Sequence, residues 1–361
     1  MTTAQLSAAD VLAQLDLAAA GEEGFVLKVG EIRIRVLCPE PLRSRLMTYF
    51  ADVRSDEAGA VTVHLLPDQH MLPEPAWTDW LREGGKIGRK DAICDLDDAR
   101  LIRKVRSGVT FFQSFDHAVA FGPLEQNEST VINFINTQVL NIALRKGWHL
   151  AHAAAVTNGR QTLAISGLSG GGKSTSILRL MDIDGLSFLS NDRVLIKGGT
   201  PARALGIPKQ PRINPGTILG NPRLADMLTE TRIEELNAMN TADLWALEDK
   251  HDLVIRDIYG AGRVRFDAPM TDFWVLNWSH GAEEDTRISE VDLSSRPDLL
   301  QAIMKSPGPF YQHVDGRFEP NGNAPDPAPY LDALKGVRVC EVSGKIDFDK
   351  IAAAGRDLFD G

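Results

Sequence analysis

The sequence is poor in cysteine, has no long apolar run and carries no excess of basic residues. Its 361 residues contain only three cysteines, Cys38, Cys94 and Cys340, which lie far apart and form no CxxC pair. This spacing argues against a disulfide framework or a zinc site, because both need cysteines in groups. It is typical of a protein in a reducing compartment, so we expect a cytoplasmic location.

Membranes and nucleic acids are not expected partners. No apolar stretch approaches the roughly 20 residues that a membrane-spanning helix needs, and residues 1–21 lack the pattern of a secretion signal. The net charge of −10 argues against general nucleic-acid binding, which requires a basic surface. An acidic chain that binds an anionic ligand must therefore concentrate its positive charge in a local site.

Residues 1–125 are predicted to form an N-terminal α+β region built on an antiparallel sheet. Short alternating segments separated by turns predict strands at 25–29, 32–37, 61–66, 92–95, 101–105, 109–115 and 118–121. A helix over 41–51 is expected between the second and third of these strands. The residues of this region point to no chemistry, so its role stays open.

Residues 126–361 are predicted to form a second domain with an α/β P-loop core. A helix is expected over 130–145, capped by Ser129 and ended by Gly147. Strands follow at 152–156, 162–166 and 186–189, with a glycine-rich loop and a helix over 173–181 between the last two. The order strand, loop, helix, strand is that of the βαβ unit of nucleotide-binding proteins.

The glycine-rich segment Gly167-Leu168-Ser169-Gly170-Gly171-Gly172-Lys173-Ser174-Thr175 matches the phosphate-binding pattern GxxxxGK[ST]. Its glycines let successive backbone amides face phosphate oxygens, which a Cβ would obstruct. Lys173 is expected to reach the β- and γ-phosphates and to act in catalysis, and the Ser174 hydroxyl to bind Mg²⁺. The predicted nucleotide-binding residues are Gly167, Ser169, Gly170, Gly171, Gly172, Lys173, Ser174 and Thr175. The alternative is a glycine-rich turn with an incidental lysine, but the flanking strand and helix favour a site for ATP and Mg²⁺.

Two residues outside this motif are candidates for catalysis. Asp192 follows a buried strand whose end is expected beside the phosphates, where a carboxylate can hold Mg²⁺ or accept a proton. Its alternative role is that of a turn residue, which aspartate favours. His152 begins the strand ahead of the P-loop strand, and its position alone leaves both a catalytic role and a packed core role open.

Two cations on a proline-punctuated loop are candidates for contact with phosphate or substrate. Lys209 and Arg212 lie in the segment 206–216, which holds three prolines and two glycines. Cations on a stiff loop can neutralise charge on a transferred phosphoryl group or bind an anionic substrate. The alternative is a surface connection whose basic side chains are merely solvated.

The order of His152, the P-loop and then Asn191-Asp192-Arg193-Val194 resembles the HPr kinase/phosphorylase superfamily. The segments 208–216 and 307–311 resemble, more closely, the group called HprK-related kinase B. The resemblance covers residues 130–350. It implies an ATP- and Mg²⁺-dependent kinase on the fold shared with phosphoenolpyruvate carboxykinases, and a phosphate-contacting catalytic role for His152.

Two departures from the superfamily pattern affect the chemistry. The first aspartate of its Asp-Asp-Arg-Val stretch is here Asn191, which cannot act as an acid or base, although it can contact phosphate or substrate. The glutamate expected before 202–206 is absent as well, because Pro201 stands there. We therefore expect a kinase without phosphorylase activity.

Three functions stay open from the sequence. The first is a kinase that transfers the γ-phosphate of ATP to a hydroxyl, with Asp192 or His152 handling the proton. The second is a P-loop ATPase or nucleotide-sensing module without an acceptor, and the third is a pseudokinase, which Asn191 favours. The resemblance implies a protein substrate or partner enzyme, and by analogy with HPr kinases a homo-oligomer.

Overall fold

The protein has a mixed α/β fold with several sheets, described here from a computed structural model. The structure describes residues 6–81, 88–167, 171–247, 249–279 and 281–361. The chain divides into two compact units, Met1–Gly147 with Ser306–Pro325 (unit 1) and Trp148–Lys305 with Asp326–Gly361 (unit 2). Unit 1 therefore extends past residue 125 and also takes a segment from the later part of the chain.

Unit 1 is built around one large sheet. Its strands are β1 (Gly24–Val29), β2 (Ile32–Leu37), β3 (Arg54–Ser55), β4 (Val61–Pro67), β5 (Thr78–Asp79), β6 (Asp91–Asp95), β7 (Arg100–Lys104), β8 (Thr110–Gln113) and β9 (Ala118–Gly122). Its helices are α1 (Ala8–Leu12), α2 (Leu42–Tyr49) and α3 (Glu128–Arg145), with 3-10 turns at Leu17–Ala20, Ala51–Val53 and Glu125–Asn127. Within the described ranges the strand order is β3-β1-β2-β4-β9-β8-β7-β6-β5.

The prediction that this sheet is antiparallel was wrong, because two of its pairings are parallel. Strand β4 pairs in parallel with β2 on one side and with β9 on the other. Parallel neighbours need a crossover connection, and α2 lies in the connection between β2 and β4. The sheet is therefore mixed.

Helices cover the two faces of this sheet. Adjacent residues of a strand point to opposite faces, and in β8 the ring of Phe112 packs in a cluster with Val11 of α1. The ring of Phe111 stacks on Phe134 of α3, with the centroids 4.5 Å apart. Helix α3 begins at Glu128 with Asn127 at its N-cap, so the predicted Ser129 cap was wrong. A glutamate in the first turn favours that start through the helix dipole.

Unit 2 contains the P-loop sequence and the strands and helices that surround it. Its strands are β10 (His149–Ala151), β11 (Ala153–Thr157), β12 (Thr162–Gly167), β13 (Ser187–Ser190), β14 (Val194–Lys197), β15 (Arg203–Gly206), β16 (Arg212–Ile213), β17 (His251–Asp252), β18 (Asp267–Pro269), β19 (Asp272–Leu276), β20 (Arg287–Glu290) and β21 (Arg338–Ser343). Its helices are α4 (Lys173–Leu180), α5 (Pro215–Leu219), α6 (Glu230–Asn237), α7 (Thr241–Ala246), α8 (Ile255–Tyr259), α9 (Pro297–Ile303), α10 (Pro327–Ala333) and α11 (Phe348–Asp360), with 3-10 turns at Pro222–Met227 and Leu293–Ser295.

The central sheet of unit 2 has, among its described residues, six strands in the order β13-β11-β12-β19-β21-β20. Strands β12, β19 and β21 are parallel. Strand β13 runs in the same direction as β12, because both are antiparallel to the strand β11 between them. The predicted strand–helix–strand order is thus present with one strand inserted, and β12, β13, β19 and β21 end at the same edge.

Both faces of this sheet are buried, which explains its nearly continuous apolar strands. On one face Ala153 and Ala164 pack in a core shared with the four-stranded sheet β10-β14-β15-β18 and with α9 and α10. On the other face Leu163 and Ile165 pack against α4 and α11. None of the helices in the described ranges combines the length and hydrophobicity that crossing a bilayer requires.

Candidate functional site

The P-loop sequence lies between the end of β12 and the start of α4, as predicted. Gly167 ends the strand and Lys173 begins the helix, with Gly172 at the N-cap in a left-handed conformation (φ +88°). A Cβ at Gly172 would lie 2.6 Å from the ring of Phe348, so any other residue would strain the backbone and require that ring to shift. The predicted contacts Ser169 and Gly170 lie outside the described residues.

A cleft of about 700 Å³ opens at this edge of the sheet, entirely within unit 2. It is lined by most of the described site residues that the sequence predicted, namely His152, Gly171, Gly172, Lys173, Ser174, Thr175, Asn191, Asp192, Lys209 and Arg212. The volume lies within the range of small-molecule sites. These ten residues, spread over 61 positions of the chain, thus lie around one cavity, whereas the predicted Gly167 is not in its lining.

Lys173 lines the cleft. Its ammonium donates a hydrogen bond to the carbonyl of Gly167 at 2.8 Å. Burial lowers the pKa of Lys173 to about 8, although the charge of Asp192 acts in the opposite direction. The side chain is therefore mostly protonated at pH 7 and poorly solvated, a state in which a phosphate would be a strong partner.

The first turn of α4 is tied to its surroundings by two hydroxyl groups. The Ser174 hydroxyl donates to the carboxamide oxygen of Asn191 at 2.9 Å. The hydroxyls of Thr175 and Thr217 lie 2.9 Å apart. Asn191 therefore contacts Ser174, the residue that the motif assigns to Mg²⁺, and belongs to the same group of side chains in the cleft.

His152 and Asp192 meet because the chain changes sheets at both positions. His152 lies between β10 of the four-stranded sheet and β11 of the six-stranded sheet, rather than beginning a strand as expected. Asp192 lies in the turn between β13 of the six-stranded sheet and β14 of the four-stranded sheet. Since β10 pairs with β14 and β11 with β13, the two crossing points lie side by side.

The imidazole and the carboxylate form a hydrogen-bonded pair. Nε2 of His152 lies 3.2 Å from Oδ1 of Asp192, and an ionised carboxylate can only accept, so Nε2 donates. Burial alone would raise the pKa of Asp192, but the hydrogen bond from His152 and the charge of Lys305 hold it well below its usual range. The bond to Asp192 would raise the pKa of His152, but burial and the nearby lysine charges lower it overall. At pH 7 the pair is therefore a carboxylate and a neutral imidazole.

The turn that carries Asp192 is held in an uncommon backbone conformation. Asp192 has a φ of +68°, a left-handed value that is uncommon outside glycine and that asparagine and aspartate adopt most readily among the other residues. The Ser190 hydroxyl donates to the carbonyl of Arg193 at 2.5 Å and accepts from the amide of Ile207 at 3.1 Å. A residue kept in such a conformation by its neighbours is typical of a functional position.

The cations of the proline-punctuated loop take different positions. Lys209 lines the cleft. Arg212 also lines it, but its guanidinium forms an ion pair with Asp252 at 2.9 Å across the short ladder of β16 and β17. Asp252 thus neutralises part of the positive charge that Arg212 was expected to offer to a phosphate.

Lys305 lies near the site, although no sequence motif predicted it as a site residue. An antiparallel bridge joins Ala151 to Met304, and the amide of His152 donates to the carbonyl of Ile303 at 2.7 Å. Lys305 follows directly on Met304, so this bridge brings its backbone close to His152. Its charge acts on the pKa values of His152, Lys173 and Asp192. No local pattern could identify this lysine, because its partners precede it by more than a hundred residues.

The oxygen groups around Ser174 suit Mg²⁺. This ion prefers oxygen ligands and is commonly held by one or two protein groups together with substrate phosphates. The Ser174 hydroxyl, the Asn191 carboxamide and the ionised Asp192 carboxylate supply three such oxygens in one cleft. The predicted metal-binding residues Ser174 and Asp192 therefore fit the ion by the chemistry of their side chains.

Comparisons with known proteins show a likeness in structure alone. No protein-family model matches the sequence, and no curated protein matches it. Among solved structures, the chain is similar to the Hpr(Ser) kinase/phosphatase from Coxiella burnetii, with 12% sequence identity and a TM-score of 0.29. The match covers 59% of this chain and 99% of that chain. At this identity and TM-score, the chemistry has to be inferred from the cleft itself.

Proposed function

We propose that the protein is an ATP- and Mg²⁺-dependent kinase that transfers the γ-phosphate of ATP to a hydroxyl group. The observation that carries the proposal is a P-loop lysine, Lys173, in the same cleft as a hydrogen-bonded carboxylate–imidazole pair, Asp192 and His152. Phosphoryl transfer depends mostly on positioning and charge neutralisation, so these few groups suffice. The resemblance of the motif order to HPr kinases supports the same reaction class.

In the proposed step, the acceptor oxygen forms a bond to the γ-phosphorus of ATP. The bond from that phosphorus to the β–γ bridging oxygen breaks, and its electron pair leaves with ADP. The hydroxyl becomes acidic as its oxygen bonds to phosphorus, so its proton then passes to the Asp192 carboxylate in spite of the low pKa of that group. His152 fixes the position of the carboxylate through the 3.2 Å contact. Lys173 stabilises the negative charge on the phosphate oxygens, and Lys305 adds a second positive charge near the acceptor.

The residues for Mg²⁺ are Ser174 and Asp192, with Asn191 holding the Ser174 hydroxyl. When bound, the ion neutralises charge on the β- and γ-phosphates. Since Asn191 replaces a carboxylate of the HPr kinase pattern, we propose forward transfer without phosphorylase activity. We propose a serine of a partner protein as the acceptor, by the same resemblance.

The test is to follow the label from γ-³²P-ATP with Mg²⁺, with and without a lysate of the source cells. We expect label on a protein acceptor, and loss of that label in Lys173→Ala but not in Lys335→Ala, an exposed lysine of unit 2 outside the cleft. Release of free phosphate alone would favour the ATPase alternative. Label transfer that persists in Lys173→Ala would overturn the proposal.

A further inference from the structure

The cleft has an aromatic side that the proposed chemistry does not use. Strands β19 and β21 lie on the opposite side of β12 from β13, and all four end at the same edge. Strand β13 leads to the acid–base pair, whereas β19 leads to Trp278 and β21 leads to Phe348. The P-loop therefore lies between a charged side and an aromatic side.

Both of these aromatic rings contact the P-loop. The indole nitrogen of Trp278 donates to the carbonyl of Gly171 at 2.9 Å. The ring of Phe348 fills the space where Gly172 has no Cβ. These contacts fix the two rings relative to the phosphate-binding backbone, so that a ligand held by the loop has a defined aromatic surface beside it.

A third ring, that of Trp245 on α7, is partly exposed and lines the cleft. It meets Trp278 edge to face, with the centroids 5.4 Å apart and the planes at 65°. Trp245 is 37% exposed, although tryptophan contributes a large apolar area when it is covered. Only the indole ring of Trp278 thus separates it from the P-loop backbone at Gly171.

We propose that Trp245 is the stacking surface for the base of the bound nucleotide, and that this surface favours purines. The proposal rests on the proposed function, because it requires a triphosphate on the P-loop. In this arrangement the γ-phosphate faces Asp192 after β13, and the nucleoside extends toward Trp278 after β19, whose ring Trp245 contacts. Stacking on an indole contributes a substantial part of the affinity for a base and does not depend on hydrogen-bond readout.

Stacking area sets the order of preference among bases. Purines present two fused rings to the indole and pyrimidines one, so ATP and GTP should bind more tightly than UTP. Inorganic tripolyphosphate lacks a base and can use only the P-loop. Its affinity therefore isolates the phosphate contacts from the contact proposed for Trp245.

The experiment measures binding of ATP, UTP and tripolyphosphate, each with Mg²⁺, by isothermal titration calorimetry. In Trp245→Ala we expect about a tenfold weaker affinity for ATP and no change for tripolyphosphate. Trp245→Phe should retain most of the ATP affinity. The matched control is Val254→Ala, which removes a side chain of equal exposure, 37%, outside the cleft.

The intrinsic fluorescence gives a second readout. ATP should quench the wild-type emission more than tripolyphosphate does, because Trp278, which contacts the P-loop, responds to both ligands. Trp245→Phe should remove this difference while still binding ATP. Equal affinity of the wild type for ATP and tripolyphosphate, or an equal loss of both in Trp245→Ala, would overturn the stacking proposal and leave the P-loop intact. If the wild type binds neither ligand, the proposed function fails as well.

Discussion

The hydroxyl of Ser174 donates a hydrogen bond to the carboxamide oxygen of Asn191 at 2.9 Å. This contact joins the first turn of α4 to the end of β13. It places a neutral amide directly beside the hydroxyl that the P-loop motif assigns to Mg²⁺. Asn191 therefore orients that hydroxyl without adding negative charge.

The role of Asn191 can be measured through the Mg²⁺ dependence of ATP binding. Asn191→Ala removes the partner of Ser174, and loss of one such hydrogen bond, about 1 kcal/mol, should raise the Mg²⁺ concentration for half-maximal binding about fivefold. Asn191→Asp should lower it, because a carboxylate attracts the cation. An unchanged Mg²⁺ requirement in both variants would remove Asn191 from the metal site.

The fold was predictable where local patterns decide it. Alternation predicted segments such as 32–37, now β2, because one face of that strand is buried and the other is solvated. The pairing of β4 with β2 and β9 was not predictable, since it depends on which distant strands pack together. The same limit applies to Ser306–Pro325, which belongs to unit 1 although the sequence around it belongs to unit 2.

The site was predictable in its residue types and less so in its contacts. The P-loop motif and the position of Asp192 after a strand were sufficient to bring them into one cleft. The pairing of His152 with Asp192 depends on two sheet crossings, and the ion pair of Arg212 depends on β17. Lys305 follows Met304, which forms a bridge with Ala151. This bridge joins two segments that are far apart in the sequence, so no local pattern could indicate the lysine.

ATP affinity should depend on pH through Lys173. The pKa of Lys173 is about 8, and the ammonium form binds phosphate, so affinity should fall as the pH rises from 7 to 9, by up to about tenfold per pH unit above the pKa. Calorimetric titrations across this range test it. In Lys173→Arg, whose guanidinium stays charged, the profile should be flat; a wild-type profile that is equally flat would contradict the lowered pKa.

Lys305 should tune the protonation of His152. Its positive charge disfavours the imidazolium form, so Lys305→Met should raise the pKa of His152, measured from the NMR titration of the ring protons. His149 is the internal control, because burial rather than Lys305 lowers its pKa. A shift of His149 and His152 by the same amount, or of neither, would show that Lys305 does not act on the pair.

Gly172 should be irreplaceable for two separable reasons. Gly172→Ala introduces a Cβ at a φ of +88° and 2.6 Å from Phe348, and the left-handed conformation alone costs about 1–2 kcal/mol. The control is Gly185→Ala, with a φ of +81° and nothing within 4 Å of the added Cβ. Thermal unfolding should show a larger loss for Gly172→Ala; equal losses would mean that Phe348 moves aside freely.

The most direct test of the kinase proposal is Asp192→Asn, assayed for both ATP binding and label transfer. Asparagine tolerates the φ of +68° at this position and keeps the shape of the side chain, but it cannot take a proton. We predict that ATP still binds and that transfer of ³²P to the acceptor falls by at least about a hundredfold. Transfer at the wild-type rate in Asp192→Asn would contradict the account.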